Sequence, residues 1–162
     1  GLASGAFNIT VSGSGQAGAV TAGGSPGVYT FSVTNTAAEQ VTLTITASGV
    51  QLTQQPTIDF VAGPVSASSA ASANPTTVPA DGSTASTVTV TLQDANGNAV
   101  TGLAAVDFVI TPSSGTAVLG VISETTPGVY EFTVTNNVQE MVTITITASG
   151  IALNDQPAIT FN

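Results

Sequence analysis

The stretch PGVYTFSVTN, residues 26–35, returns as PGVYEFTVTN at residues 127–136. In the second copy Tyr130, Phe132 and Val134 alternate with Glu131, Thr133 and Thr135, the period of two that marks a strand with one buried face. Pro-Gly just ahead of it is turn chemistry. Sliding the chain along itself by 101 residues aligns more than this strand: GLASGAFNIT at 1–10 falls on GLAAVDFVIT at 102–111, VTLTITASGV at 41–50 on VTITITASGI at 142–151, and QPTIDF at 55–60 on QPAITF at 156–161. The alignment has no gap, and 30 of its first 60 positions are identical. A period of this length is one small β-domain. By contrast ADGSTASTVTVTLQDANGN, residues 80–98, occurs once.

The full repeat reads as seven short strands without a helix signal. VSASSAAS at 65–72 is a small-sided edge strand A, and STASTVTVTL at 83–92 is strand B, with Val88, Val90 and Leu92 opposite Thr87, Thr89 and Thr91. Asp94 to Asn98 form a turn in which Asn-Gly supplies positive φ. Strand C carries Val106, Phe108 and Ile110 on one face, and strand D runs over 117–122. Strand E is 128–136, strand F is 141–149 with Val142, Ile144, Ile146 and Ala148 inward, and strand G is 157–161 with Ile159 and Phe161 inward. The expectation is an all-β chain of tandem immunoglobulin-like β-sandwiches, about seven strands each. Residues 1–61 correspond to strands C to G of one repeat and residues 62–162 to a complete one, joined by a short linker around 60–73. The expected core includes Tyr29, Phe31, Val88, Val90, Phe108, Tyr130, Phe132, Ile144 and Phe161.

Composition narrows the function. The chain has nine carboxylates, no Lys, no Arg and no His, a net charge of -9, with 42% hydrophobic and only 6% charged residues. Ordinary usage is about 25% charged. With no cation to neutralise phosphates, the reading excludes nucleic acid as a partner, and an anionic membrane surface repels the chain. Apolar runs are broken by Thr or Ser at every other residue, so no transmembrane helix is expected. Absence of Cys removes disulfides and thiolate metal sites. No His, Lys or Cys can serve as base or nucleophile, and the carboxylates are scattered singly, so the chain is not expected to be an enzyme.

NPTTVPADGSTASTVTVTLQDANGNAVTGLAAVDFVIT, residues 74–111, joins a Pro-Ala-Asp-Gly corner, an alternating Thr/Val strand and Asp-Ala-Asn-Gly-Asn; a Gly-Val-Tyr strand follows. In this order it resembles the bacterial immunoglobulin-like repeats of the invasin and intimin type. Lysine, common in that family, is missing. The resemblance implies an extracellular location at the bacterial cell surface and a structural stalk or fibre module of an adhesin, giving reach and attachment. Its partners are then adjacent repeats of the same chain or neighbouring copies, and a host or surface ligand. Two alternatives stand beside it: a subunit of a self-assembling filament, phage-tail-like or sheath assembly, and a carbohydrate- or calcium-binding module.

Candidate sites are few. Asp94, Asn96 and Asn98 place oxygens at alternate positions, as calcium loops do, but AVTGLAAV after them lacks the bidentate Glu of an EF-type loop, so a hairpin turn whose Asx side chains bond the local backbone is the favoured reading and calcium the weaker one. LNDQP at 153–157 has the look of an interdomain calcium motif, yet its counterpart LTQQP at 52–56 has no carboxylate, leaving a loop between F and G. No cofactor is expected. The ladders TVTVTL, VTLTIT and VTITIT read as solvated Thr faces rather than ice-binding surfaces, because a twisting sheet offers few ranks. The sequon Asn8-Ile9-Thr10 falls within a strand.

Residues 1–60 lack counterparts of strands A and B. Val88, Val90 and Leu92 each contribute about 1.5–3 kcal/mol when buried, so their loss amounts to about 5–9 kcal/mol, comparable with a whole domain's net stability of about 5–15 kcal/mol. The first repeat is therefore expected to need those strands from a longer chain or from a neighbour.

Overall fold

Val or Ile alternating with Thr favours extended backbone, because branched side chains pack well on a pleated surface. A computed structural model describes residues 1–162, and the chain divides into two units, Gly1–Val61 and Ala62–Asn162.

The first unit contains β1 (Phe7–Val11), β2 (Gln16–Ala17), β3 (Thr21–Ala22), β4 (Tyr29–Thr30), β5 (Val33–Thr34), β6 (Gln40–Ala47), β7 (Val50–Gln51) and β8 (Thr57–Asp59). Strand β6 pairs antiparallel with β1, β7 and β8, while β2 pairs only with β5 and β3 only with β4. Val41 and Leu43 on β6 are its buried hydrophobic residues; Tyr29 and Phe31, expected in the core, are half-buried.

The second unit contains β9 (Ala70–Asn74), β10 (Thr77–Val78), β11 (Ser86–Thr91), β12 (Phe108–Pro112), β13 (Val118–Leu119), β14 (Ser123–Thr126), β15 (Val129–Thr135), β16 (Glu140–Ala148), β17 (Ile151–Ala152) and β18 (Ala158–Phe161). One sheet has the order β10-β18-β16-β12 with β17 on β16; the other has β13-β15-β11-β9 with β14 on β15. The two faces enclose Val88, Val90 and Leu92, Tyr130, Phe132 and Val134, Val142, Ile144 and Ile146, and Ile159, each at most 2% exposed, with Phe161 at 1% and Phe108 at 8%. This is an immunoglobulin-like β-sandwich.

Several local expectations are corrected. Strand A begins at Ala70, not Val65, and after Pro75, which has no N–H to donate, the chain crosses to the other sheet, where β10 runs parallel to β18. Val65 and Ser69 are buried within the second unit, so residues from 62 onward belong to that unit and not to a linker. Val106 is 86% exposed. It sits in a 3-10 turn, Ala105–Asp107, whose Asp107 side chain accepts the Ala104 N–H at 2.8 Å, and this turn breaks the alternation before Phe108. Strand D is split into β13 and β14, with the buried Ile122 between them. Strand F ends in a tight hairpin, because Ser149 and Gly150 both take positive φ (48° and 80°) and turn the chain into β17.

Candidate functional site

The two carboxylates of the unrepeated segment hold the two ends of β11. At its start Asp81 Oδ1 accepts the N–H groups of Ser83 and Thr84 at 2.8 and 2.6 Å, while Oδ2 accepts the Thr84 hydroxyl at 2.7 Å. At its end Asp94, 3% exposed, accepts from Asn96 N and Asn98 N through Oδ1 (2.8 and 2.9 Å) and from Gly63 N and Asn98 Nδ2 through Oδ2 (2.8 and 2.9 Å). Hydrogen bonds to the charged form hold both carboxyls well below the usual range, Thr84 N–H contributing most at Asp81 and the Asn98 amide most at Asp94, against the opposing effect of burial. Gly97 supplies φ +84° at the turn.

This geometry bears on the candidate calcium loop. Asp94 and Asn98 come together, but the Asn98 side chain presents its amide N–H to the carboxylate, and Asn96 contributes its backbone N–H. Four N–H donors surround Asp94, the arrangement of an Asx-held turn. In the 153–157 stretch Leu153 is buried, Asn154 N donates to Ala67 O, and Asp155 Oδ2 accepts Ala71 N at 3.2 Å, so this loop braces the start of the unit. No three His, Cys, Asp or Glu side chains converge, and every buried side-chain N or O atom has a partner inside the protein.

One polar constellation recurs in both units, and residue-by-residue reading overlooked it. In the first, Glu39 Oε1 accepts Ser14 Oγ at 2.6 Å, Ser14 N at 2.7 Å and Asn35 Nδ2 at 2.9 Å. These bonds, led by the Ser14 hydroxyl, lower its pKa to about 2. In the second, Glu140 Oε1 accepts Ser114 Oγ at 2.6 Å, Thr116 Oγ1 at 2.5 Å and Asn136 Nδ2 at 2.8 Å, with the Ser114 hydroxyl again the main cause of a lowered pKa. The signal is present as Asn-x-x-x-Glu at 35–39 and 136–140. Each clip ties the loop that follows β1 or β12 to the turn before β6 or β16, the longest strand of its unit.

The repeated Gly-Val-Tyr behaves differently in its two settings. Tyr130 is fully buried, its ring 5.1 Å from that of Phe108, and its hydroxyl accepts Leu103 N at 3.1 Å and donates to Val100 O at 3.2 Å. Burial pushes its pKa up. Tyr29 keeps the aromatic partner, Phe7 at 4.5 Å, but donates to Leu2 O in a half-exposed position. Gly128 has φ +76°, and a Cβ there would lie 2.8 Å from Ala99 Cβ; Gly27 has φ +81° with nothing within 4 Å of that position.

A sequence profile described as invasin, domain 3, matches residues 65–162, more than half of the chain. The chain belongs to the invasin domain 3 family. Among solved structures it is similar to FdeC, an Escherichia coli adhesin, at 22% identity over 94% of this chain and 51% of that one, with a TM-score of 0.78. Invasin, described as a bacterial integrin-binding protein, gives 24% identity over 96% and 32%, with a TM-score of 0.81. InvD of Yersinia pseudotuberculosis gives 25% over 96% and 47%, with a TM-score of 0.71. The chain thus spans about half or less of each. No curated protein matches the sequence. The invasin domain 3 family places this chain among immunoglobulin-like adhesin domains of the bacterial cell surface. No helix is long and apolar enough to cross a membrane.

Proposed function

We propose that this invasin-type chain is a structural segment of an adhesin stalk: tandem immunoglobulin-like units that set the distance between a bacterial surface and whatever the whole protein attaches to. Its immediate partners are then neighbouring repeats, and its contribution to attachment is reach rather than catalysis. The observation that carries this reading is where the polar chemistry goes. Asp81, Asp94, Glu124 and Glu140 each bond to turns and loop ends of the second unit, and Glu39 does so in the first. Such a use of carboxylates fixes loop geometry and leaves the sandwich as a rigid spacer. The 101-residue repeat supports the same reading, since repeated units extend a fibre without new chemistry.

Electron microscopy of the purified source protein tests it. Single beaded strings are expected. Regular helical order would overturn the stalk reading in favour of a self-assembling filament.

A further inference from the structure

The sheet built on β16 and the sheet built on β6 have outer faces in the same register. Val109 pairs with Thr147 as Asn8 does with Thr46, Met141 with Thr160 as Gln40 does with Asp59, and Thr143 with Ala158 as Thr42 does with Thr57. Four positions of this face are Thr in both units: Thr111, Thr143, Thr145 and Thr147 match Thr10, Thr42, Thr44 and Thr46. The other five all differ, and in one direction. Where the first unit has Asn8, Gln40, Gln51, Thr57 and Asp59, the second has Val109, Met141, Ala152, Ala158 and Thr160. Each difference removes polarity or charge, and the Gln40 Nε2–Asp59 Oδ1 hydrogen bond of 2.7 Å is replaced by Met141 beside Thr160. The opposite sheet differs the other way, Thr30 and Gly23 corresponding to Glu131 and Glu124.

These side chains are in contact with solvent: Met141 is 65% and Val109 62% exposed, and Ala152, Ala158 and Thr160 are exposed too. The carboxylates nearest in sequence to these strands are engaged elsewhere, Asp107 by Ala104 N, Glu140 by the Ser114 and Thr116 hydroxyls, and Asp155 by Ala71 N. The result is a face of Thr, Val, Met and Ala without a charge, on a chain of net charge -9.

That contrast selects the partner. A charged partner finds no counter-charge here. Two copies of this chain have no Lys, Arg or His with which to pair their carboxylates, so they repel through every face that carries one and least through this face. Thr hydroxyls both donate and accept, which makes identical Thr rows complementary to each other. We propose that the outer face of β12, β16 and β18 is a self-association surface, on which a second copy packs the same face about a two-fold axis. Such a pair is closed and recruits no third copy. Three strands about 4.8 Å apart and about 30 Å long offer on the order of 400 Å² per copy, half of what a stable interface buries, so the pair is weak and forms where chains are crowded. It needs only the second unit and is independent of the stalk reading.

Sedimentation of the 162-residue chain over a range of concentrations, with amide resonances followed in parallel, tests this. A reversible monomer–dimer equilibrium is expected, with shifts at β12, β16 and β18. Raising salt should strengthen it, since screening in this chain acts on repulsion. The double variant Val109→Asn and Met141→Gln, which carries the residues that the first unit has at the same register, should associate about ten-fold or more weakly, as two apolar side chains no longer bury. Glu131→Thr, on the opposite sheet, should associate at least as strongly as the unaltered chain. A chain that stays monomeric at every concentration, equal association of the double variant, weakening by salt, or shifts confined to β11 and β15 or to the first unit would overturn the proposal.

Discussion

Replacing Tyr130 by Phe removes one oxygen from the centre of the second unit and leaves the ring against Phe108 in place. That oxygen accepts from Leu103 N and donates to Val100 O, and neither backbone group has a second partner. Val100 is 9% exposed, so its carbonyl becomes an unsatisfied buried acceptor, whereas the half-buried Leu103 N–H is within reach of water. A buried polar group left unpaired costs about 1–3 kcal/mol. The expected loss for Tyr130→Phe is therefore about 2 kcal/mol, roughly 8–16 °C in Tm for a unit of about 100 residues. The repeat supplies an internal control. Tyr29 donates to Leu2 O where water can substitute, so Tyr29→Phe is expected to cost less than about 0.5 kcal/mol. Urea unfolding followed by circular dichroism gives the magnitudes, and hydrogen exchange at β15 and β16 assigns the loss to the second unit. Equal losses in the two variants, or a Tyr130→Phe loss below about 0.5 kcal/mol, would refute the reasoning.

Three further outcomes are expected. Val90→Ala, at a fully buried position opposite Tyr130, should cost about 2 kcal/mol in urea unfolding, while Val109→Ala, 62% exposed, should stay within about 0.5 kcal/mol; similar costs would contradict the assignment of faces. Glu39, Asp81, Asp94, Glu124 and Glu140 all have folded pKa values below their ordinary 4.5 or 3.8. Each contributes stability that is complete above the ordinary value and is lost as pH falls through the folded one, so Tm should be flat above about pH 6 and fall between about pH 5 and 2. A Tm that rises on acidification would mean that relief of repulsion among the nine carboxylates dominates instead. Asp94→Ala should lower Tm and increase exchange at Gly63 N–H, with millimolar calcium leaving the Tm of the unaltered chain unchanged; a calcium-dependent rise would contradict the Asx-turn reading.

Much of the sandwich is legible in the sequence because β11, β15, β16 and β18 place Val, Ile, Tyr or Phe inward and Thr or Glu outward, the largest contrast a strand can show. Strand A shows no such contrast: Ala71 and Ala73 are nearly the size of Ser72 and too small to mark an inward face, and the strand begins at Ala70 rather than at the expected Val65. Val106 continues the pattern of Phe108 and Ile110 on paper, and only the Asp107–Ala104 bond reveals that the chain has turned. Ser69, Ser86 and Asn136 are buried although their types suggest surface, because their partners, Gln93 and Pro75 carbonyls and Glu140, are distant in sequence or geometrically specific. The Asn-x-x-x-Glu clip was visible in both copies, but the Ser and Thr hydroxyls that give it meaning come from a loop more than 20 residues earlier.

Reach is the property that most directly separates a stalk from a binding module. Strand β16, with nine residues, spans about 30 Å at about 3.3 Å per residue, which sets the scale of what one sandwich can add. Inserting further copies of residues 62–162 into the source protein and measuring the height of a distal tag above the cell surface by electron tomography tests this. The account predicts an increase of about 30 Å or more per copy. A height that does not change with copy number would contradict it.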